Sequence, residues 1–190
     1  MHKRIINEKV KKIIAIGRLT KQKDFPNLFE ALKILKHRMK EENIEIPQVK
    51  IVGTGKLEEE LKMLSKKMKI NDIVRFLGVR QDIPDLLKDS DIYVMSSEWE
   101  GLSISLIEAL ASGIPIVATD AGSNNEIVEN NVSGLIVPTK NPKALAEGLY
   151  NLIKNKSLRE KLSKEAEKRA KMFSIKKCAE NHQRLYRELS

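Results

Sequence analysis

The chain has 190 residues, 41% of them apolar, enough for one or at most two domains with a sizeable core, while one cysteine and three scattered histidines exclude an internal disulfide and a Cys-based zinc site. The formal charge is +9, but it is unevenly placed: 12 basic and 3 acidic residues over 1–40, 11 and 18 over 41–150, 12 and 5 over 151–190. With only 4% aromatic residues and no zinc-finger or RNP-type motif, that charge argues against nucleic acid and for basic ends that meet an anionic membrane surface or solvent. The longest apolar runs, 13–17 and 92–96, fall far short of the roughly 20 residues that span a bilayer, and no signal-peptide pattern opens the chain. The expected setting is cytoplasmic, with peripheral attachment at the inner face of a membrane.

Residues 1–11, opening MHKRIINEKV, are polar and unpatterned and read as an interdomain linker or chain start, not as a core element. From residue 12 to about 155, short β-branched runs at 12–17, 48–52, 73–77, 91–95, 115–118 and 135–137 alternate with helical patterns. They lack polar alternation, as strands buried on both faces do, so the expected fold class is α/β: a Rossmann-like parallel sheet of about six strands sandwiched by helices. Helix starts are predicted at Asp82, at Asn141 with Pro142 behind it, and at Ser157 with Glu160 in capping-box spacing. After 142 the pattern is helical only, through Leu145, Leu149, Leu152, Ile153, Leu158, Leu162 and Ala166. A last helix follows Ser174, with Ile175, Ala179, His182, Leu185 and Leu189 near one face and Cys178 as a packing residue.

Four loops carry the chemistry. Gly17-Arg18, at the end of the first strand, is followed by Lys23: a forked guanidinium and an ammonium that together suit a diphosphate and stand in for a metal ion. Gly53-Thr54-Gly55-Lys56 follows the second strand, but Glu58 breaks a dinucleotide fingerprint, and Lys50 and Leu57 break a P-loop. The two glycines serve either close backbone approach to a ligand or a tight turn. Glu100-Gly101-Leu102-Ser103-Ile104-Ser105-Leu106-Ile107-Glu108 joins a strand to a helix whose free amides suit an anion, although Ser105 and Glu108 also have capping-box spacing. Ala121-Gly122-Ser123-Asn124-Asn125-Glu126 is a ligand-contacting turn or an Asn-rich cap. His2, His37 and His182 have no partners at motif spacing and take no role.

Taken in order, GRLTKQKDF, VKIVGTGKLEEEL, the segment from VRFLGVR to AGSNNEIV, and SGLIVP resemble the carboxyl-terminal, donor-binding domain of glycosyltransferase family 4 (group 1) over roughly residues 12–190. Glu100 and Glu108 have the E-x7-E spacing of these retaining enzymes. The resemblance implies one half of a GT-B fold, with residues 12–172 as the nucleotide-sugar-binding domain and 173–190 as a helix that crosses toward an absent amino-terminal acceptor domain. It also implies that Arg18 and Lys23 hold the donor diphosphate without metal or other cofactor, that Glu108 meets the ribose, and that Glu100 lies close to the donor sugar. The backbone of Gly101, Leu102, Ser103 and Ile104 would meet phosphates or sugar. Gly17, Gly53, Gly55 and the Gly78-Val79-Arg80 turn would line the nucleotide pocket, and Glu126 would follow the glycine-rich turn, with Ser123 where a glycine is common. The implied reaction moves a hexosyl group from a nucleoside-diphosphate sugar, UDP-sugar favoured, to a glycan or lipid-linked acceptor in surface polysaccharide or lipopolysaccharide-type synthesis, the isolated domain being nearly inactive. The competing readings are a nucleotide-sugar epimerase or phosphorylase of the same fold, and a non-catalytic or split nucleotide-binding subunit.

Overall fold

A computed structural model describes residues 4–189, with the side chains of all but Cys178, Asn181, Leu185, Glu188 and Leu189; His2 and the packing assigned to Cys178, Leu185 and Leu189 lie outside what is described. The six strands are β1 Lys12–Ile16, β2 Gln48–Val52, β3 Val74–Phe76, β4 Ile92–Met95, β5 Ile116–Thr119 and β6 Leu135–Val137. They form one sheet in the order β3-β2-β1-β4-β5-β6, and every pairing is parallel. The direction of winding reverses between β1 and β4, the place where open α/β sheets leave a crevice at the carboxyl ends of their strands.

Because successive side chains of a strand point to opposite faces, every strand but β3, whose middle residue Arg75 is exposed, feeds two cores. Ile13, Ala15, Val49, Ile51, Val94 and Val117 pack on one face against α1 (Phe25–Glu41), α2 (Glu58–Lys67) and α6 (Pro142–Lys154). Ile14, Val52, Tyr93, Met95, Ile116 and Ala118 pack on the other against α3 (Ile83–Lys88), α4 (Ile104–Ala111) and α5 (Asn124–Ile127). The next helix, α7 (Lys156–Ala170), reaches both cores, through Leu162 and Ala166. The final helix, α8 (Ile175–Leu189), starts where the Ser174 hydroxyl accepts from the Lys177 amide at 3.2 Å, and it leaves Ile175 90% exposed.

The caps differ in part from the sequence expectations. Asn141 caps α6 as expected, its side chain accepting from the Ala144 amide at 3.0 Å. The cap of α7 is Asn155, not Ser157: Asn155 Oδ1 accepts from the Leu158 amide at 2.9 Å, and the Ser157 hydroxyl donates to the same oxygen. Two asparagines with closely similar geometry thus start consecutive helices. Asp82 precedes α3 but makes no capping bond, because both its oxygens are taken by the Arg80 guanidinium at 2.8 and 2.7 Å. Ser105 lies already inside α4, whose cap position is Ser103, so the Ser105–Glu108 capping box does not form.

The opening segment is a second correction. Val10 is 6% exposed and belongs to the core, and Asn7 donates to the Asp91 carboxylate at 2.7 Å. Arg4 donates to the carbonyls of Leu87, Ser90 and Ser112. Arg159, 1% exposed, reaches from α7 to the carbonyls of Asn7 and Glu8 at 2.8 and 2.9 Å and to those of Leu152 and Ile153. The segment is not a free linker: Arg4 is bound by backbone carbonyls at the amino end of the sheet, and the segment's own carbonyls are bound by Arg159.

Candidate functional site

Gly17 follows β1 directly, and an added Cβ there would lie 3.1 Å from the Lys23 side-chain carbons, so the bare backbone makes room for the lysine stem. The loop continues through the 3-10 turn 21–23 into α1, whose cap Asp24 adopts the left-handed conformation (φ 41°) and accepts from the Asn27 amide. This bend carries the Lys23 ammonium to Glu100, in the loop after β4. The two form an ion pair with side chains 14% and 5% exposed, and the Ser97 hydroxyl donates to the same oxygen, Oε1, at 2.6 Å. Gln22 donates to Glu100 Oε2 at 3.4 Å and to the Trp99 carbonyl at 3.1 Å. The backbone joins in: the Glu98 amide donates to the Gln22 carbonyl at 2.9 Å, and the Ser96 hydroxyl to the Lys23 carbonyl at 2.8 Å. Loops from the two strands flanking the reversal point are therefore stapled together around one buried carboxylate.

Beneath the staple lies Tyr93, fully buried, its hydroxyl 3.0 Å from Ser105 Oγ. Burial, together with the Glu100 and Glu108 carboxylates, pushes its phenol well above the usual range, against the pull of the Ser105 bond. It stays neutral and serves as a polar strut between β4 and α4. At the start of α4, the Ser103 hydroxyl turns inward toward Met95 and Ser105 rather than capping. The first-turn amides of α4 are left without a side-chain partner, in the arrangement that accepts an anion.

The glycines answer the question the sequence left open. A Cβ on Gly53 (φ 128°) would lie 2.1 Å from the Gly17 carbonyl oxygen, one on Gly55 2.3 Å from that of Leu19, and one on Gly122 (φ 57°) 1.8 Å from that of Glu100. These glycines let one site loop lie directly on another. Gly78 (φ 64°) has open space around it and accepts from the Gly53 amide at 2.8 Å, which ties its turn to the same stack. Gly101 has open space as well, at the rim, where Val79, Trp99, Leu102 and Ile104 are 72, 51, 62 and 60% exposed.

The remaining expected residues divide. Arg18 is exposed beside Gly17 and makes no side-chain hydrogen bond or ion pair among the described residues. Arg80 is committed to Asp82. Glu126 is exposed on α5, where its carbonyl is held by Arg169 of α7 at 2.6 Å, while the Ser123 hydroxyl bonds the Gly101 carbonyl. Glu108 is exposed and lines an open groove of about 910 Å³ between α3 and α4, with Ile83, Pro84, Leu87 and Arg4. That groove runs down toward the amino end of the sheet, and neither Lys23 nor Glu100 lines it; of the expected site residues it takes in Glu108. Among the described residues no group of three or more His, Cys, Asp or Glu is placed to hold a metal ion, and no helix is long and apolar enough to cross a membrane.

Sequence reading missed Gln22, Ser97, Thr119 and Tyr93 as site residues. The signal was present: hydroxyl residues stand at the carboxyl ends of otherwise apolar runs, Ser96-Ser97 after IYVM and Thr119 after IVA.

An uncharacterized glycosyltransferase of Haemophilus influenzae is 32% identical over 171 residues, which are 90% of this chain and 47% of that protein. The UDP-Gal:alpha-D-GlcNAc-diphosphoundecaprenol alpha-1,3-galactosyltransferase of Escherichia coli is 30% identical over 145 residues, 75% of this chain and 36% of its own length. Among solved structures, Anabaena HepE in complex with UDP-glucose matches with a TM-score of 0.76 at 25% identity, over 84% of this chain and 43% of that one. The chain thus spans about half or less of these relatives, and its sheet is the Rossmann-like domain of GT-B glycosyltransferases. Residues 1–169 match the family of glycosyl transferases group 1 as a continuous stretch that takes in all four loops at the reversal point, and this chain belongs to that family.

Proposed function

We propose that the chain is the donor-binding half of a retaining, family 4 glycosyltransferase that moves a hexosyl group from a nucleoside-diphosphate sugar to a glycan or lipid-linked acceptor. The observation that carries this reading is the meeting of Lys23 and Glu100 at the reversal point of the sheet, with Arg18 exposed on the same loop as Lys23 and the start of α4 following the Glu100 loop without a side-chain cap. Two cations and a row of amides suit a diphosphate, and the ammonium and guanidinium neutralise the departing nucleoside diphosphate without a metal. Glu108 takes the ribose, and Glu100 faces the donor sugar. The names of the relatives support the substrate class: one galactosyltransferase uses UDP-Gal on a lipid-linked diphosphate, and HepE was captured with UDP-glucose. In this reading the acceptor belongs to the amino-terminal half of the enzyme, and the basic side chains of α8 are proposed to meet that half or an anionic membrane.

Calorimetric titration with UDP, GDP and ADP and their glucose conjugates, with and without EDTA, tests the reading. Binding of one nucleoside diphosphate that EDTA leaves unchanged is expected. Absence of binding to all three, or binding that needs a divalent cation, overturns it.

A further inference from the structure

Lys23 has two claimants. Its ammonium now sits on Glu100 Oε1, yet the proposed reaction draws it to the donor diphosphate, whose multiple negative charges outcompete a single carboxylate. Glu100, 5% exposed in the pair, loses its cationic partner when Lys23 turns away, which is costly for a buried carboxylate unless other donors hold it. Two donors remain, Ser97 Oγ on Oε1 and Gln22 Nε2 on Oε2, at 2.6 and 3.4 Å.

Ser97 is built for that task. It is 0% exposed, its side chain has one rotatable bond, and its carbonyl is fixed by the Thr119 hydroxyl at 2.6 Å, itself 0% exposed at the end of β5. A donor held in this way costs no reorganisation when its acceptor loses another partner. We propose that Ser97 is the positioning residue that holds the Glu100 carboxylate while Lys23 is handed to the donor diphosphate. Removing its hydroxyl makes Glu100 depend on Lys23, and the nucleotide must then compete harder for the ammonium. The proposal rests on the donor-binding reading above.

The test is a double-mutant cycle on the full chain, read as calorimetric affinity for UDP, or for GDP or ADP where one of these binds best. Ser97→Ala is expected to weaken binding about tenfold. Ser97→Cys, which fills the site with a slightly larger group of the same shape but is a poor donor, is expected to do the same, whereas a role in filling space alone would spare it. In an Glu100→Gln background, where Lys23 is no longer held by a charge, either change at Ser97 is expected to alter affinity less than twofold. Equal losses in both backgrounds, no loss in either, or a loss confined to Ser97→Ala each overturns the proposal while leaving donor binding intact. A wild-type chain that binds none of the three nucleotides overturns the donor-binding reading and the proposal with it. Should Ser97→Ala fail to fold, Ser97→Cys carries the same expectations alone.

Discussion

At the amino end of the sheet the buried charges Arg4, Arg159 and Asp91 are partnered mostly by backbone: carbonyls for the arginines, the amides of Lys11 and Lys12 for the aspartate. At the carboxyl end, Lys23 and Glu100 are partnered by each other and by side chains of Ser97 and Gln22. Burial depresses the arginines at the amino end from their ordinary values, mainly through lost hydration, with Asp91 pulling the other way. The difference separates scaffold from site: backbone partners cannot leave without unfolding, whereas side-chain partners can rotate and give way to a ligand. A buried charge alone does not mark function, but the kind of partner it has does.

The sharpest way to break this contrast is Arg159→Met. It removes the cation but not the volume and strands four carbonyls, with an expected loss of about 3 kcal/mol and no change in nucleotide affinity. A denaturant titration and a binding isotherm on the same sample check both halves; reduced affinity at unchanged stability would erase the distinction. Next is Gly122→Ala, expected to cost about 2 kcal/mol, because the methyl meets the Glu100 carbonyl at a positive φ, and to weaken nucleotide binding through Glu100. Gly101→Ala, with open space around it, is the paired control and should stay within about 0.5 kcal/mol of wild type. Arg18→Ala is the reverse of Arg159→Met: about tenfold weaker nucleoside diphosphate binding, or roughly 1.4 kcal/mol, with the melting temperature unmoved.

The smallest effect concerns Asp24. Burial raises its carboxyl above the ordinary value, Glu98 adds to this, and the Asn27 amide opposes it. A carboxyl raised on folding is penalised when ionised, so stability falls as pH rises from the unfolded-state value through the folded one and stays reduced above it. Asn keeps the cap and tolerates the left-handed backbone. Asp24→Asn is therefore expected to gain about 0.5 kcal/mol at neutral pH, and the gain should vanish in acid, as melting curves across pH would show.

Much of the scaffold was legible because its determinants are local. All six strands lie where short β-branched runs stand between turn signals, and Asn141-Pro142 starts a helix by its own chemistry. The opening segment carries no such local signal, because Val10 is one of few apolar residues among polar ones and Arg159, which holds the segment, lies about 150 residues away. Within the site, Glu100 and Lys23 stood out as charges beside apolar strands. Ser97, Gln22 and Thr119 did not, since a hydroxyl or amide at a strand end reads as ordinary turn chemistry until a partner 78 or 22 residues distant is seen. The glycines were legible as glycines but not in purpose, because what they make room for is another loop.

The adjacency of β1 and β4 bears on how the molecule breathes. The outermost strands, β3 and β6, are three residues each and have a neighbour on one side only, so local opening starts there. The staple between residues 22–23 and 96–100 hangs from the two innermost strands. In an amide-exchange experiment Arg75 and Ile136 should lose protection first, while Ile14 and Val94 wait for global unfolding. The proposed nucleotide contacts, anchored to the sheet's centre, would then outlast partial opening at either margin, and the crevice would be among the last features to dissolve.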